Sequence, residues 1–199
     1  MANITKKELK RQLFHVIFGI LIVALIYLNI LNGITLFILL CVSVGLCIIS
    51  KRTKIPCVFW FLDRFEREED ILVFPGKGAL CYLISSFVVV LFFPKDIAMA
   101  SIIILALGDS VSHVVGMYGS ITHPFNNKKF LEGTIAGTII AFIGSFLILQ
   151  NPLEAGAASV SAMIVEGINI EFFKRRIDDN ILVPVVAAVV IFCIRLIFI

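Results

Sequence analysis

Two carboxylates stand inside stretches that are otherwise apolar. Asp109 lies in Leu107-Gly-Asp-Ser-Val-Ser-His-Val-Val-Gly116, and Glu166 in Val165-Glu-Gly-Ile-Asn169. Ionisable groups in such surroundings are costly unless they have a task or a partner. Helical spacing sets His113 and Gly116 on the face of Asp109, with Ser110 beside it. Gly108 and Gly116 bare the backbone near that carboxylate and leave room for a bulky ligand. Glu166 shares its face with Asn169. The plain alternatives are a helix–helix hydrogen bond for each carboxylate, or an Asp109–His113 pair.

Cations and further carboxylates flank these runs. Lys128 and Lys129 precede Glu132, Gly133 and Thr134 at the expected start of a helix. Lysine is a point charge suited to phosphate, and a helix N-terminus favours anions. Asp178-Asp179-Asn180 supplies hard oxygen ligands that suit Mg²⁺ when substrate phosphates complete the shell; its alternative is a solvated turn and helix cap. Lys10 and Arg11 open the first apolar run, with His15 stacked four residues beyond Arg11. Carboxylates that hold Mg²⁺, with cations that hold phosphates, are the parts of phosphoryl transfer. Neither GxxxxGK[ST] nor GxGxxG occurs, and Gly76-Lys-Gly78 is too short to count, so a nucleotide needs a non-standard site.

The elements that must position these groups are membrane helices. The 199 residues are 60% hydrophobic and 16% charged, whereas soluble domains are about half apolar and about a quarter charged. The bilayer is therefore the solvent. A net charge of +3 gives no case for nucleic acid. The five cysteines form no CxxC and read as buried free thiols. Seven apolar segments are expected to span: 13–31, 33–50, 79–93, 97–118, 133–150, 153–173 and 182–199. The first is too long for a signal-peptide core and reads as an uncleaved span. Val58, Phe61, Leu62 and Phe65 recur at helical spacing and predict a short interfacial helix. Gly133, Gly137 and the small residues of 155–162 predict close helix packing.

Orientation follows from the basic residues. Lys6, Lys7, Lys10, Arg11, Lys51, Arg52, Lys54, Arg64, Arg67, Lys77, Lys128, Lys129, Lys174, Arg175 and Arg176 fall on one side if the spans alternate, leaving Lys95 and Arg195 opposite. The positive-inside rule then places the N-terminus in the cytoplasm and the C-terminus outside. The expectation is an all-α, polytopic bundle forming one domain over residues 1–199, with its polar site on the cytoplasmic side.

At these residues the chain resembles the membrane family of dolichol kinases, phytol kinases and CTP-dependent diacylglycerol kinases, and more distantly phosphatidate cytidylyltransferases. The matching elements are Lys10-Arg11 with His15, Gly108-Asp109-Ser110 with Gly116, Lys129 with Glu132-Gly133-Thr134, Glu166, and Asp178-Asp179-Asn180. The resemblance implies CTP as phosphoryl donor, Mg²⁺ as cofactor and a lipid alcohol as acceptor, a dolichol or polyprenol ahead of phytol or diacylglycerol. It makes Asp109, Glu132 and Glu166 catalytic, Asp109, Glu132, Asp178 and Asp179 the metal ligands, and Lys10, Arg11 and Lys129 phosphate binders. Nucleotide and substrate contacts extend to His15, Gly108, Ser110, His113, Gly116, Lys128, Gly133, Thr134 and Asn180. Two departures stand near the phosphate site: His113 replaces a usually small residue, and Phe130 replaces a common serine or threonine. A prokaryotic cell membrane is the expected setting, or the endoplasmic reticulum in a eukaryote. The rival readings are a cytidylyltransferase that makes a CDP-lipid and a small ion-coupled transporter using Asp109 and Glu166 as a relay.

Overall fold

The computed structural model describes residues 6–53, 55–66, 71, 74–168, 171–172, 175–176 and 178–198. Lys54, Arg67, Asn169 and Lys174, and the side chains of Arg52, Lys128, Arg175 and Arg176, lie outside the described residues. Among the described residues eight helices dominate: α1 (Lys6–Tyr27), α2 (Gly33–Arg52), α3 (Pro56–Phe65), α4 (Lys77–Phe92), α5 (Lys95–Gly116), α6 (Leu131–Leu149), α7 (Pro152–Gly167) and α8 (Asp179–Phe198). Five of them, α1, α2, α5, α6 and α8, are long and apolar enough to cross a membrane. The all-α expectation holds, and each expected apolar segment contains a helix. Both α4 and α7 have 16 residues, below the roughly 20 that a straight crossing takes.

Local chemistry sets the ends. Asn32 caps α2 through its side-chain oxygen, accepting from Ile34 and Thr35 N–H at 3.0 Å each, while Thr35 Oγ1 returns to Asn32 N–H at 2.8 Å. Asn151 caps α7 in the same way, with Pro152 preset for the first turn. The sixth apolar segment was expected to run to Phe173. Its helix stops at Gly167, because Glu171–Phe172 (β3) pairs antiparallel with Arg175–Arg176 (β4). A second hairpin joins α5 to α6, with Thr122–His123 (β1) against Asn126–Phe130 (β2).

Helix α5 is the hub. Most of its span is buried (72%), against 11% for the peripheral α2. Ile97, Ala98, Ile102, Ile104 and Leu105 have essentially no exposure and meet Tyr82, Val89, Ala158, Val183 and Ile191 from the surrounding helices. Midway, Ile104–Asp109 is wound as π-helix, a form often found at functional sites. Beyond it α5 lies against α6 at glycines. A Cβ on Gly137 would stand 2.7 Å from the Gly108 carbonyl oxygen, and one on Gly133 would stand 2.9 Å from Gly116 Cα. Close approach is what small residues permit. Gly108 and Gly116, expected to admit a ligand, therefore serve helix packing.

Charged residues sit at the two ends. At the end away from the cavity described below, Arg195 Nη2 meets Asp96 (2.6 Å) and Glu154 (2.9 Å), tying α5, α7 and α8. Lys95 donates there to Tyr27 O (2.9 Å) and Asn29 Oδ1 (2.7 Å).

Candidate active site

A cavity of about 390 Å³ opens among α1, α3, α4, α5, α7, α8 and β2. One wall is aromatic. Phe14 of α1 meets Phe61 and Phe65 of the expected interfacial helix α3, with ring centroids 4.9 and 5.1 Å apart, and Phe18 meets Tyr82 at 5.5 Å. The other wall is polar, formed by Arg11, Gln12, His15, Asp109, His113, Lys129, Glu166, Asp178, Asp179 and Asn180.

At the polar end Asp109, Glu166 and Asp179 each offer a carboxylate oxygen within 4.8 Å of the other two. Lys129 clamps them. Its Nζ donates to Glu166 Oε1 and to the Glu166 carbonyl, both at 2.5 Å, and to Asp179 Oδ2 at 3.0 Å. Burial pulls the Lys129 ammonium down, but the facing Glu166 and Asp179 carboxylates outweigh it and hold the group above the ordinary lysine value. Ser112 Oγ donates to Glu166 Oε2 at 3.3 Å.

The chain places Lys129 by way of a strand. His123 of β1 is buried against the end of α7, where a Cβ on Gly167 would stand 2.6 Å from its Nε2. That contact seats the hairpin beside Glu166, and β2 delivers Lys129. Burial, then the Lys129 charge, lowers the His123 pKa, which favours the neutral ring. Asp178 starts α8, accepting from Asn180 N–H at 3.1 Å, and its Oδ2 lies 3.8 Å from Lys77 Nζ. Lys77 is set by a turn the sequence reading discounted. Buried Glu66 accepts from Gly76 N–H (2.6 Å) and Gly78 N–H (3.3 Å), and Gly76 takes a left-handed φ of 84°.

The carboxylate set differs from expectation. Glu132 was expected to be catalytic and a metal ligand. Instead its carboxylate accepts from Ser120 N–H (2.8 Å), Ser120 Oγ (2.9 Å) and Ile121 N–H (3.0 Å), bracing the turn after α5, and it does not line the cavity. Glu166 takes its place beside Asp109 and Asp179, while Asp178 lines the cavity as a cap and lysine partner. His113 does not pair with Asp109; its Nε2 lies 2.6 Å from Glu8 Oε1. Ser110 Oγ donates to the Gln12 carbonyl at 3.4 Å. Lys10, Gly133 and Thr134 also lie outside the cavity lining. Sequence reasoning missed Glu8, Gln12, Glu66, Lys77, Tyr82 and His123. The basic Lys77 between two glycines was the one visible signal among them.

Three clustered carboxylate oxygens are hard donors, as Mg²⁺ prefers. They lie within 4.8 Å of one another, so small side-chain rotations would bring all three onto one ion. With all three ionised, Lys129 balances one charge and leaves two, the charge of one divalent cation. The residues fit the ion.

Fold and site together define a helical membrane protein with an acidic, lysine-clamped cavity walled by aromatic rings. No protein-family model matches the chain, and no solved structure does. It is 29% identical over 188 residues to uncharacterized protein MJ1137 of Methanocaldococcus jannaschii, covering 93% of each chain. It is 27% identical to Arabidopsis thaliana phytol kinase 1, chloroplastic, over 92% of this chain and 65% of that protein. It is also 27% identical to the CTP-dependent diacylglycerol kinase 1 of Eremothecium gossypii, over 57% of this chain and 43% of that protein. The chain thus spans less than two thirds of the named kinases it matches.

Proposed function

We propose that this protein transfers the γ-phosphoryl group of CTP to the hydroxyl of a membrane lipid alcohol at the cytoplasmic face. The observation that carries the reading is the Asp109–Glu166–Asp179 cluster with Lys129, set in a cavity whose facing wall is Phe14, Phe18, Phe61 and Phe65. Metal and phosphate chemistry thus borders a surface that suits a lipid tail. The names of the relatives, phytol kinase and CTP-dependent diacylglycerol kinase, support the same class.

Asp109, Glu166 and Asp179 would hold Mg²⁺, which when bound draws charge from the transferring phosphoryl group. Lys129 neutralises phosphate oxygens. Asp109 receives the proton of the lipid hydroxyl as its oxygen bonds to the γ-phosphorus; the bond to the β–γ bridging oxygen breaks and CDP leaves. The aromatic wall holds the tail and keeps water from competing for the phosphoryl group. The acceptor is an isoprenoid alcohol of the polyprenol or dolichol type, with phytol and diacylglycerol as the acceptors to compare. Seven crossings, with α4 and α7 included, put the cavity in the cytoplasm by the positive-inside rule.

The test is a transfer assay on the purified protein in lipid nanodiscs, with CTP labelled at the γ or the α phosphate and a panel of these alcohols. Lipid label from the γ position supports the proposal. Label from the α position replaces it with a cytidylyltransferase, and no label from either overturns it.

A further inference from the structure

A second polar cluster faces the same cavity from α1, and the transfer chemistry does not use it. Glu8 Oε1 receives Arg11 Nη2 at 2.5 Å and Gln12 Nε2 at 3.1 Å, and His113 Nε2 lies 2.6 Å away. Gln12 is only 3% exposed and lines the cavity. Its amide nitrogen is committed to a carboxylate, which accepts and does not donate. Turning the amide over would set oxygen against oxygen, so the carbonyl is the free edge. That oxygen, Gln12 Oε1, is buried without a partner, and so is the neighbouring Arg11 Nε. Buried polar atoms in native proteins are almost always satisfied. An unmet acceptor and an unmet donor on adjacent residues of the cavity lining, each atom with almost no accessible surface of its own, become the complement of a ligand once a small side-chain turn presents them.

We propose that Gln12 and Arg11 form the base-reading edge for the nucleotide, an inference that rests on the nucleotide-donor reading above. Gln12 Oε1 accepts from an exocyclic amine, and Arg11 Nε donates to the adjoining ring nitrogen. Cytosine presents that pair, as does adenine. Uracil and guanine present a carbonyl oxygen beside a ring N–H, which opposes acceptor to acceptor and donor to donor. Sites built to hydrogen-bond one pattern reject the analogue that leaves buried groups unpaired. Glu8 and His113 act as positioning residues that fix the Gln12 amide.

The test measures equilibrium binding of CTP, ATP, UTP and GTP to the full chain in nanodiscs, with inorganic tripolyphosphate as the base-free probe. CTP or ATP is expected to bind about tenfold or more tighter than UTP and GTP. Replacing the amine of the preferred nucleotide by hydrogen removes that advantage on the unaltered protein. Gln12→Met narrows the gap between amino and keto nucleotides and leaves tripolyphosphate binding unchanged. If this variant fails to fold, the amine-less nucleotide decides the question alone. Equal binding of all four nucleotides, or an amine-less analogue as tight as its parent, overturns the edge while γ-label transfer to lipid leaves the kinase reading standing. Failure of every triphosphate to bind removes the nucleotide-donor reading itself.

Discussion

Replacing Lys129 by methionine keeps a long apolar stem and deletes the ammonium that donates to Glu166 at 2.5 Å and Asp179 at 3.0 Å. Glu166 is 3% exposed, so little water reaches it to replace the lost partner. Stripping one member from a buried ion pair costs about 3–5 kcal/mol. At about 2–4 °C per kcal/mol for a chain of this size, Tm should fall by about 6–20 °C. Lys129→Met with Glu166→Gln removes the more deeply buried of the two stranded charges and leaves Asp179, so the pair should recover part of the loss, with a coupling of about 2 kcal/mol. Lipid phosphorylation should stay absent in both. Thermal unfolding of the four proteins in nanodiscs gives the cycle. A single-variant cost below about 1 kcal/mol, typical of an exposed pair, would refute the buried clamp. The sign with pH is also set. Folding raises the Lys129 pKa, so its stabilisation is complete below the ordinary value of 10.5 and fades as pH climbs through the folded value. Tm of the unaltered protein should decline in that alkaline window, and Tm of Lys129→Met should not.

Asp109→Ala should abolish lipid phosphate formation while the protein is still extracted folded; retained activity removes Asp109 from the site. Glu132→Gln should lose far less activity than Asp109→Ala, because Glu132 braces the Ser120–Ile121 turn; equal loss in a radiolabel assay would return it to the site. Gly137→Val should destabilise by roughly 1–3 kcal/mol in thermal unfolding, since its Cβ would meet the Gly108 carbonyl at 2.7 Å. An unchanged Tm would show that α5 and α6 are less closely packed.

The helices were legible because apolar runs near the length of a bilayer have few other uses. Asp109 and Glu166 stood out because carboxylates inside apolar runs are rare, and Asp179 because it stands between Asp178 and Asn180. What their spacing could not reveal was partnership across the bundle. Glu132 follows Lys129 closely in sequence, yet β2 turns Lys129 toward α7 and α8 while Glu132 folds back on Ser120. His113 is one turn from Asp109, but its partner is Glu8, 105 residues earlier in the numbering. The early end of α7 depended on pairing between residues 171–172 and 175–176, which leaves no hydropathy signature. The Glu66 turn carried a weak trace in its glycines, and nothing local announced the buried acceptor beside it.

The wide winding at Ile104–Asp109 bears on how this chain tolerates length changes. A π segment holds one residue more than regular winding over the same rise. Each helical residue turns the chain by about 100°. Deleting any one residue there would therefore regularise the helix, a change that looks benign on its own. Regular winding would restore the same turn and rise with one residue fewer, so the helix on either side would keep its faces; a second deletion would swing one side by about 100°. The segment works as a buffer for length, able to take up the loss of one residue but not of two.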